Sequence, residues 1–200
     1  MIGSGVEIFN GTFDGGFHTI RGIYIYSENS DCVGMFTAIG QDGKIKNLKL
    51  ENSYIESNND ISGNNGYFTG SFAGIMNGTA EFLYAGNDVK VISNKPTIGG
   101  LIGKFDSAKG QIANSWFSGT VTGTFEEGAL NNVCGRRVGG IIGTVDKNVP
   151  ADKAVLSNCI FDGIVYSYDY IAGGLVGLIV GPNVKIENCL NDGTVYAGHG

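Results

Sequence analysis

The stretch VGGIIG, Val138 to Gly143, sets two adjacent glycines inside an apolar run, where they ordinarily weaken a helix or a strand. The same word returns as IGGLIG at Ile98 to Gly103 and as AGGLVG at Ala172 to Gly177. Two looser copies come earlier, VGMFTAIG from Val33 and TGSFAG from Thr69. With the first glycine of each word as a marker, the series runs Gly34, Gly70, Gly99, Gly139 and Gly173, at intervals of 36, 29, 40 and 34 residues. Repeats of that length belong to solenoids or propellers.

A second word lies ahead of each glycine pair: TIRGIYI from Thr19, KIKNLKL from Lys44, TAEFLYA from Thr79, QIANSWF from Gln111, VLSNCIF from Val155 and KIENCLN from Lys185. Its second column, Ile20, Ile45, Ala80, Ile112, Leu156 and Ile186, is apolar between polar neighbours, which is the alternation of a half-buried strand. The fourth column is Gly22, Asn47, Phe82, Asn114, Asn158 and Asn188, and strand parity points it inward. The fifth, Ile23, Leu48, Leu83, Ser115, Cys159 and Cys189, is also small or apolar. Two successive inward residues do not fit one flat strand, so the chain bends at the asparagine. Stacked copies then predict an internal ladder of Asn47, Asn114, Asn158 and Asn188.

Another strand follows, centred on Tyr54, Val89, Val121, Val165 and Val195, and then the glycine pair. Each repeat thus supplies about three short strands with no helical period. The pattern predicts an all-β chain, a parallel β-helix of about six rungs, because such units close a core only by stacking. A propeller needs four antiparallel strands per blade, for which the repeat core is short. The glycine pairs fall at corners that need unusual dihedrals and close backbone approach, with Leu101, Ile141 and Leu175 refilling the interior. A phosphate-cradling loop would need a following helix, and no copy has one.

Only 3 prolines and no linker-like tract argue for a single domain over residues 1–200, and 42% apolar content is enough for a core. A net charge of −6 with CGRRVGG as its one arginine pair excludes a nucleic-acid partner. The longest apolar run, IAGGLVGLIVG, is about half a membrane span, so membrane insertion by this chain is not expected. MIGSGVEIFN has neither the basic start nor the apolar stretch of a signal peptide. TVYAGHG stops before a closing glycine pair, and neither end offers a polar cap, so the sequence reads as an excerpt of a longer protein with neighbouring domains.

FNGTFDGGFHTIRGIYI (Phe9 to Ile25), GKIKNLKL, SNCIFDGIV, ENCLNDGTV and the GGLIG, GGIIG and GGLVG words together resemble the GLUG-repeat domains of bacterial surface proteins. The resemblance covers nearly the whole chain. It implies a right-handed parallel β-helix within a large secreted or wall-attached protein involved in adhesion, and an extracellular or cell-surface location. It carries over no catalytic residues. Phe82, in the asparagine column, and the glycine-poor first two copies depart from the pattern.

Candidate chemistry is sparse. Asp162 and Asp192 share a column one rung apart, a spacing that polysaccharide-cleaving β-helix enzymes can use as acid and nucleophile. Both, like Asp14, precede glycine as turn residues do. His18 and His199 lie at opposite ends and share no metal or triad, and Cys32 and Cys134 lack metal spacing, so no cofactor or metal is expected. Cys159 and Cys189 share an inward column, where in-register side chains favour free thiols over a disulfide. Tyr166, Tyr168 and Tyr170 alternate, Tyr196 aligns with Tyr166, and Tyr84, Trp116, Ile160 and Leu190 form a second outward column. These aromatics are the candidate contacts for a glycan or a partner protein surface. Ice binding would require threonine arrays on many rungs, and GTVTGT supplies one. The sequence therefore points to a non-enzymatic structural or adhesive module, with a polysaccharide lyase or glycoside hydrolase as the alternative.

Overall fold

The computed structural model describes residues 1–3, 7–58, 66–94, 96–124, 137–150, 152–168 and 171–198. Among them the chain is all-β, and each strand pairs in parallel with its counterpart one repeat later. The second turn runs Lys44–Glu51, Tyr54–Ser57, Phe68–Thr69 and Ala73–Met76; the third repeats it as Thr79–Ala85, Lys90–Ser93, Thr97–Gly99 and Ile102–Phe105. Stacking builds four sheets, the first of which is bent. The fold is a parallel β-helix: the third and fourth sheets hold 5 strands each, and a further turn begins on the first two. Parallel pairing between distant repeats excludes the propeller.

The bend in the first sheet is where the asparagine column predicts it. Asn47, Phe82, Asn114, Asn158 and Asn188 have φ of 54°, 52°, 49°, 50° and 51°. The side chains, however, point outward, which corrects the internal ladder. A left-handed residue interrupts strand alternation, so Lys46 and Asn47 both face out while Ile45 and Leu48 face in. The ladder forms on the surface, where Asn158 Nδ2 donates to Asn114 Oδ1 at 3.2 Å. Inside, the fifth column satisfies the bend. Ser115 Oγ donates to the Ala113 carbonyl at 2.7 Å and accepts from the Leu83 N–H at 3.1 Å. Cys159 and Cys189 repeat the first contact, each thiol donating to the carbonyl two residues back.

Two columns are shifted from the sequence expectation. The inward residues of the second sheet are Ile25, Ile55, Val91, Val121, Val165 and Val195. Tyr54 is one place early and faces out, while Val89 is buried at the preceding corner. Val89 stands two places early and keeps the inward parity, while the one-place offset of Tyr54 reverses its face. In the first repeat Phe13 pairs with Ile45 and Ile20 with Leu50, the register breaking between Asp14 and His18. TIRGIYI therefore matches the second half of the later words. Gly22 (φ 73°) bonds the carbonyl of Asn52 (φ 44°), a different corner from Asn47.

The glycine pairs serve space rather than dihedral freedom, since none of them has positive φ. A Cβ on Gly140 would stand 2.0 Å from the Gly174 carbonyl and 2.4 Å from the Phe161 ring. Gly100 has the same relation to Gly140 and Phe117. Each ring lies across the solenoid on the second glycine, and Phe117 and Phe161 stack at 6.3 Å. Burying each ring contributes roughly 2 to 3 kcal/mol. Leu101 and Ile141 refill the interior as expected, while Leu175 is half-buried.

The longer intervals between the second-sheet strand and the next glycine word predict protruding loops at Glu56 to Asn65 and Thr124 to Arg137. Their flanks belong to strands Tyr54–Ser57 and Arg137–Gly139, and residues 59–65 and 125–136 lie outside the described residues. On the N-terminal side Ile2 and Phe9 bridge to the strand Phe36–Ile39, and the Phe9 ring packs on Phe36 at 5.1 Å. In the last turn the inward Ile186, Cys189 and Val195 are half-buried.

Two mutational outcomes follow from this packing. Gly140→Ala should lower unfolding stability by about 1 to 3 kcal/mol, because the added methyl meets backbone and a fixed ring. Gly174→Ala, facing the Asn191 side chain, should cost less in the same denaturant titration. At the bend, Asn158→Leu should cost about 1 to 2 kcal/mol through its left-handed φ, and Asn158→Gly a smaller amount. Equal losses for the two Asn158 variants would return the amide to the interior.

Candidate functional site

The second half of the bent sheet carries an outward column through Lys49, Tyr84, Trp116, Ile160 and Leu190, as strand register dictates. Its polar contacts run across five turns. Arg21 and Lys49 both pair with Glu51, at 2.7 and 2.5 Å. Lys49 Nζ lies 4.6 Å from the centre of the Tyr84 ring, which meets Trp116 edge to face at 5.6 Å. Trp116 Nε1 then donates to Asp162 Oδ1 at 2.8 Å. The Lys49 hydrogen bond, with Arg21 nearby, holds the Glu51 carboxyl below the usual range. With its N–H engaged, Trp116 still leaves 40% of its surface exposed, and Leu190 leaves 52%. This is a fixed apolar stripe with charged ends, able to pack on a sugar ring or an apolar partner.

The outer face of the second sheet carries the other aromatics. Tyr166 and Tyr196 stack at 4.9 Å with planes 7° apart, confirming their alignment on adjacent turns. Tyr24 and Tyr54 stack the same way at 5.5 Å and 8°. Both stacks follow from in-register strands, whose spacing is close to a comfortable ring offset. They turn ring faces toward each other along the solenoid axis and leave edges and hydroxyls to solvent. The Tyr54 hydroxyl donates to Glu56 at 2.7 Å, and that bond pushes its pKa up to about 12, making it a weaker acid. Tyr24, Tyr26 and Tyr54 are absent from the sequence-based set, although YIY at Tyr24 to Tyr26 repeats the alternation of YSY at Tyr166 to Tyr168. Tyr168 is exposed and shares a cleft of about 220 Å³ with Tyr166 and Tyr196. Tyr170 lies outside the described residues.

The remaining candidates are placed as follows. Asp162 and Asp192 occupy adjacent turns in one exposed column, and Asp162 is engaged by Trp116. Asp14 sits against the corner. Its Oδ1 accepts from Asn47 Nδ2 and from the Gly16 N–H, both at 3.0 Å, and Lys46 is 3.0 Å from Oδ2. Among the described residues no group of three or more His, Cys, Asp or Glu could hold a metal ion. His199 and Cys134 lie outside them. Cys159 and Cys189 are free thiols; burial pushes Cys159 up to about 12 and raises Cys189, so neither is poised to react. Among the described residues no helix is long and apolar enough to cross a membrane.

The chain matches no family model, and no solved structure matches it significantly. Over 102 residues, 51% of the chain, it is 32% identical to halomucin of Haloquadratum walsbyi. The chain spans about 1% of the length of that relative.

The Asp14 corner gives a pH dependence. Asparagine's hydrogen bond, then the Gly16 N–H and Lys46, lower the Asp14 carboxyl from 3.8 to about 2. A depressed folded-state value stabilises the fold above the unfolded value and is lost as pH falls through the folded one. Titration followed by carboxyl NMR should give a midpoint near 2 for Asp14, moving toward 3.8 in Asn47→Ala. Between those values the parent should lose stability faster than Asp14→Asn does.

Proposed function

We propose that this chain is a non-enzymatic β-helix module of the GLUG-repeat type in a cell-surface or secreted protein, acting as a stiff stalk with an adhesive face. The observation that carries the proposal is the Trp116 stripe, in which an exposed indole is held rigidly by Tyr84 and Asp162 on a continuous sheet. A pre-ordered aromatic on a rigid support loses little entropy on binding, which favours contact with a glycan or a partner surface. The similarity to halomucin over half the chain supports a location outside the cell.

The test applies the purified chain to a glycan array, with reducing-end release assayed in parallel. Binding without release is expected, and Trp116→Ala should weaken it by about tenfold, the loss of one aromatic contact of roughly 1.4 kcal/mol. Release of reducing ends that disappears in Asp162→Asn would replace this proposal with the polysaccharide-cleaving alternative.

A further inference from the structure

Among the described residues, two lysines sit against an aromatic ring and a carboxylate at once. Lys49 Nζ lies 4.6 Å from the centre of the Tyr84 ring on the next turn and pairs with Glu51, two residues on in its own strand. Lys104 Nζ lies 5.3 Å from the centre of the Phe68 ring and pairs at 3.3 and 2.7 Å with Asp106 and Asp146, which stand on adjacent turns. A ring face attracts a cation through its quadrupole, and the carboxylate adds a charge-assisted hydrogen bond.

The same parts recur at Trp116 without the lysine. Ile160 and Leu190 continue the column of Lys49, and Asp162 and Asp192 follow them by two residues, as Glu51 follows Lys49. Both carboxylates are exposed on adjacent turns, and the indole is fixed beside them by its 2.8 Å bond to Asp162 Oδ1. Ile160 supplies the apolar stem of a lysine without the charge. An ammonium group arriving from outside would complete the arrangement and relieve the repulsion between the two stacked carboxylates.

Two kinds of ligand carry an ammonium to such a place. A lysine of a partner protein brings it on a flexible stem, whose ordering costs more rotamer entropy than that of most side chains. An amino sugar brings it on a rigid ring with an apolar face, so one body meets the indole and the carboxylates with little left to order. Resting on the reading of the Trp116 stripe as an adhesive face, we propose that its ligand is a glycan with free, unacetylated amino groups, the sugar ring on Trp116 and the ammonium beside Asp162 and Asp192. The two carboxylates set the specificity, because an N-acetyl group removes the ligand's charge and a uronate reverses it.

The experiment is an amide and indole NMR titration of the labelled chain, in mildly acidic buffer, with tetramers of glucosamine and of galactosamine and with the N-acetylated form of each. At least one free amino-sugar tetramer should shift the Trp116 indole and the Ile160, Asp162 and Asp192 amides saturably, and about tenfold more tightly than its acetylated form. Added salt should narrow that gap. The double variant Asp162→Asn with Asp192→Asn, which keeps an acceptor for the indole, should bring the two forms to within about twofold of each other. Trp116→Ala should weaken both forms and leave their ratio in place. Tetralysine should bind more weakly than the free amino sugar. Thermal unfolding checks that each variant is folded. Silence with every tetramer, equal binding of free and acetylated forms, a ratio that survives in the folded double variant, or tighter binding of tetralysine would each overturn the amino-sugar proposal. The adhesive reading falls only if the glycan array is also blank.

Discussion

In-register parallel stacking places every residue about 4.8 Å above and below its counterparts, and the chain's chemistry is organised by that constraint. A column must tolerate its own repetition. Apolar columns do so by packing, as Phe117 and Phe161 do over the second glycines. Charged columns alternate in sign: Asp14, Lys46 and Glu81 succeed one another, as do Arg21 and Glu51. At Asp106 and Asp146 a cation sits beside two stacked carboxylates. Lys104 lies 3.3 Å from Asp106 and 2.7 Å from Asp146, and its hydrogen bond holds the Asp146 carboxyl below the usual range. The tyrosine stacks obey the same rule, so the pattern of the surface is as much a product of the stacking as the core is.

The elements legible in the sequence were those whose residue types tie them to one backbone position. Glycine is required where the next turn and a phenylalanine ring leave no room for a methyl group, and the marker series is in register throughout the third sheet. Asparagine marks a left-handed corner, and its column is likewise aligned. Strand alternation alone has no such anchor. Val89 slipped by two places, which a period of two cannot detect, whereas Tyr54 stood one place early in the position before the inward Ile55, where no corner residue fixed the count. The outward direction of the asparagines was hidden for a related reason. Parity counting assumes an unbroken strand, and the left-handed residue breaks it.

The same distinction governs the sites. Trp116 and Tyr196 align from sequence because each follows an anchored corner or turn. Tyr24 and Tyr54 escape because the first repeat carries extra residues between Asp14 and His18, which displaces every later comparison with it.

Phe82, which departs from the asparagine column, is tied to the irregular first repeat. Phe82 takes the corner with φ of 52°, and Phe17, in the enlarged first repeat, has φ of 61°. A left-handed phenylalanine costs roughly 1 to 2 kcal/mol relative to an ordinary strand residue. The two rings meet edge to face at 6.1 Å, passing over the turn that carries Asn47. Such a pair contributes about 0.5 to 1.5 kcal/mol, enough to offset part of one corner's strain and too little to offset both. Either phenylalanine alone would therefore be a plain loss to the corner. Together they share a contact that neither asparagine nor glycine could make, so the irregular first repeat and the exceptional Phe82 are coupled across the intervening turn.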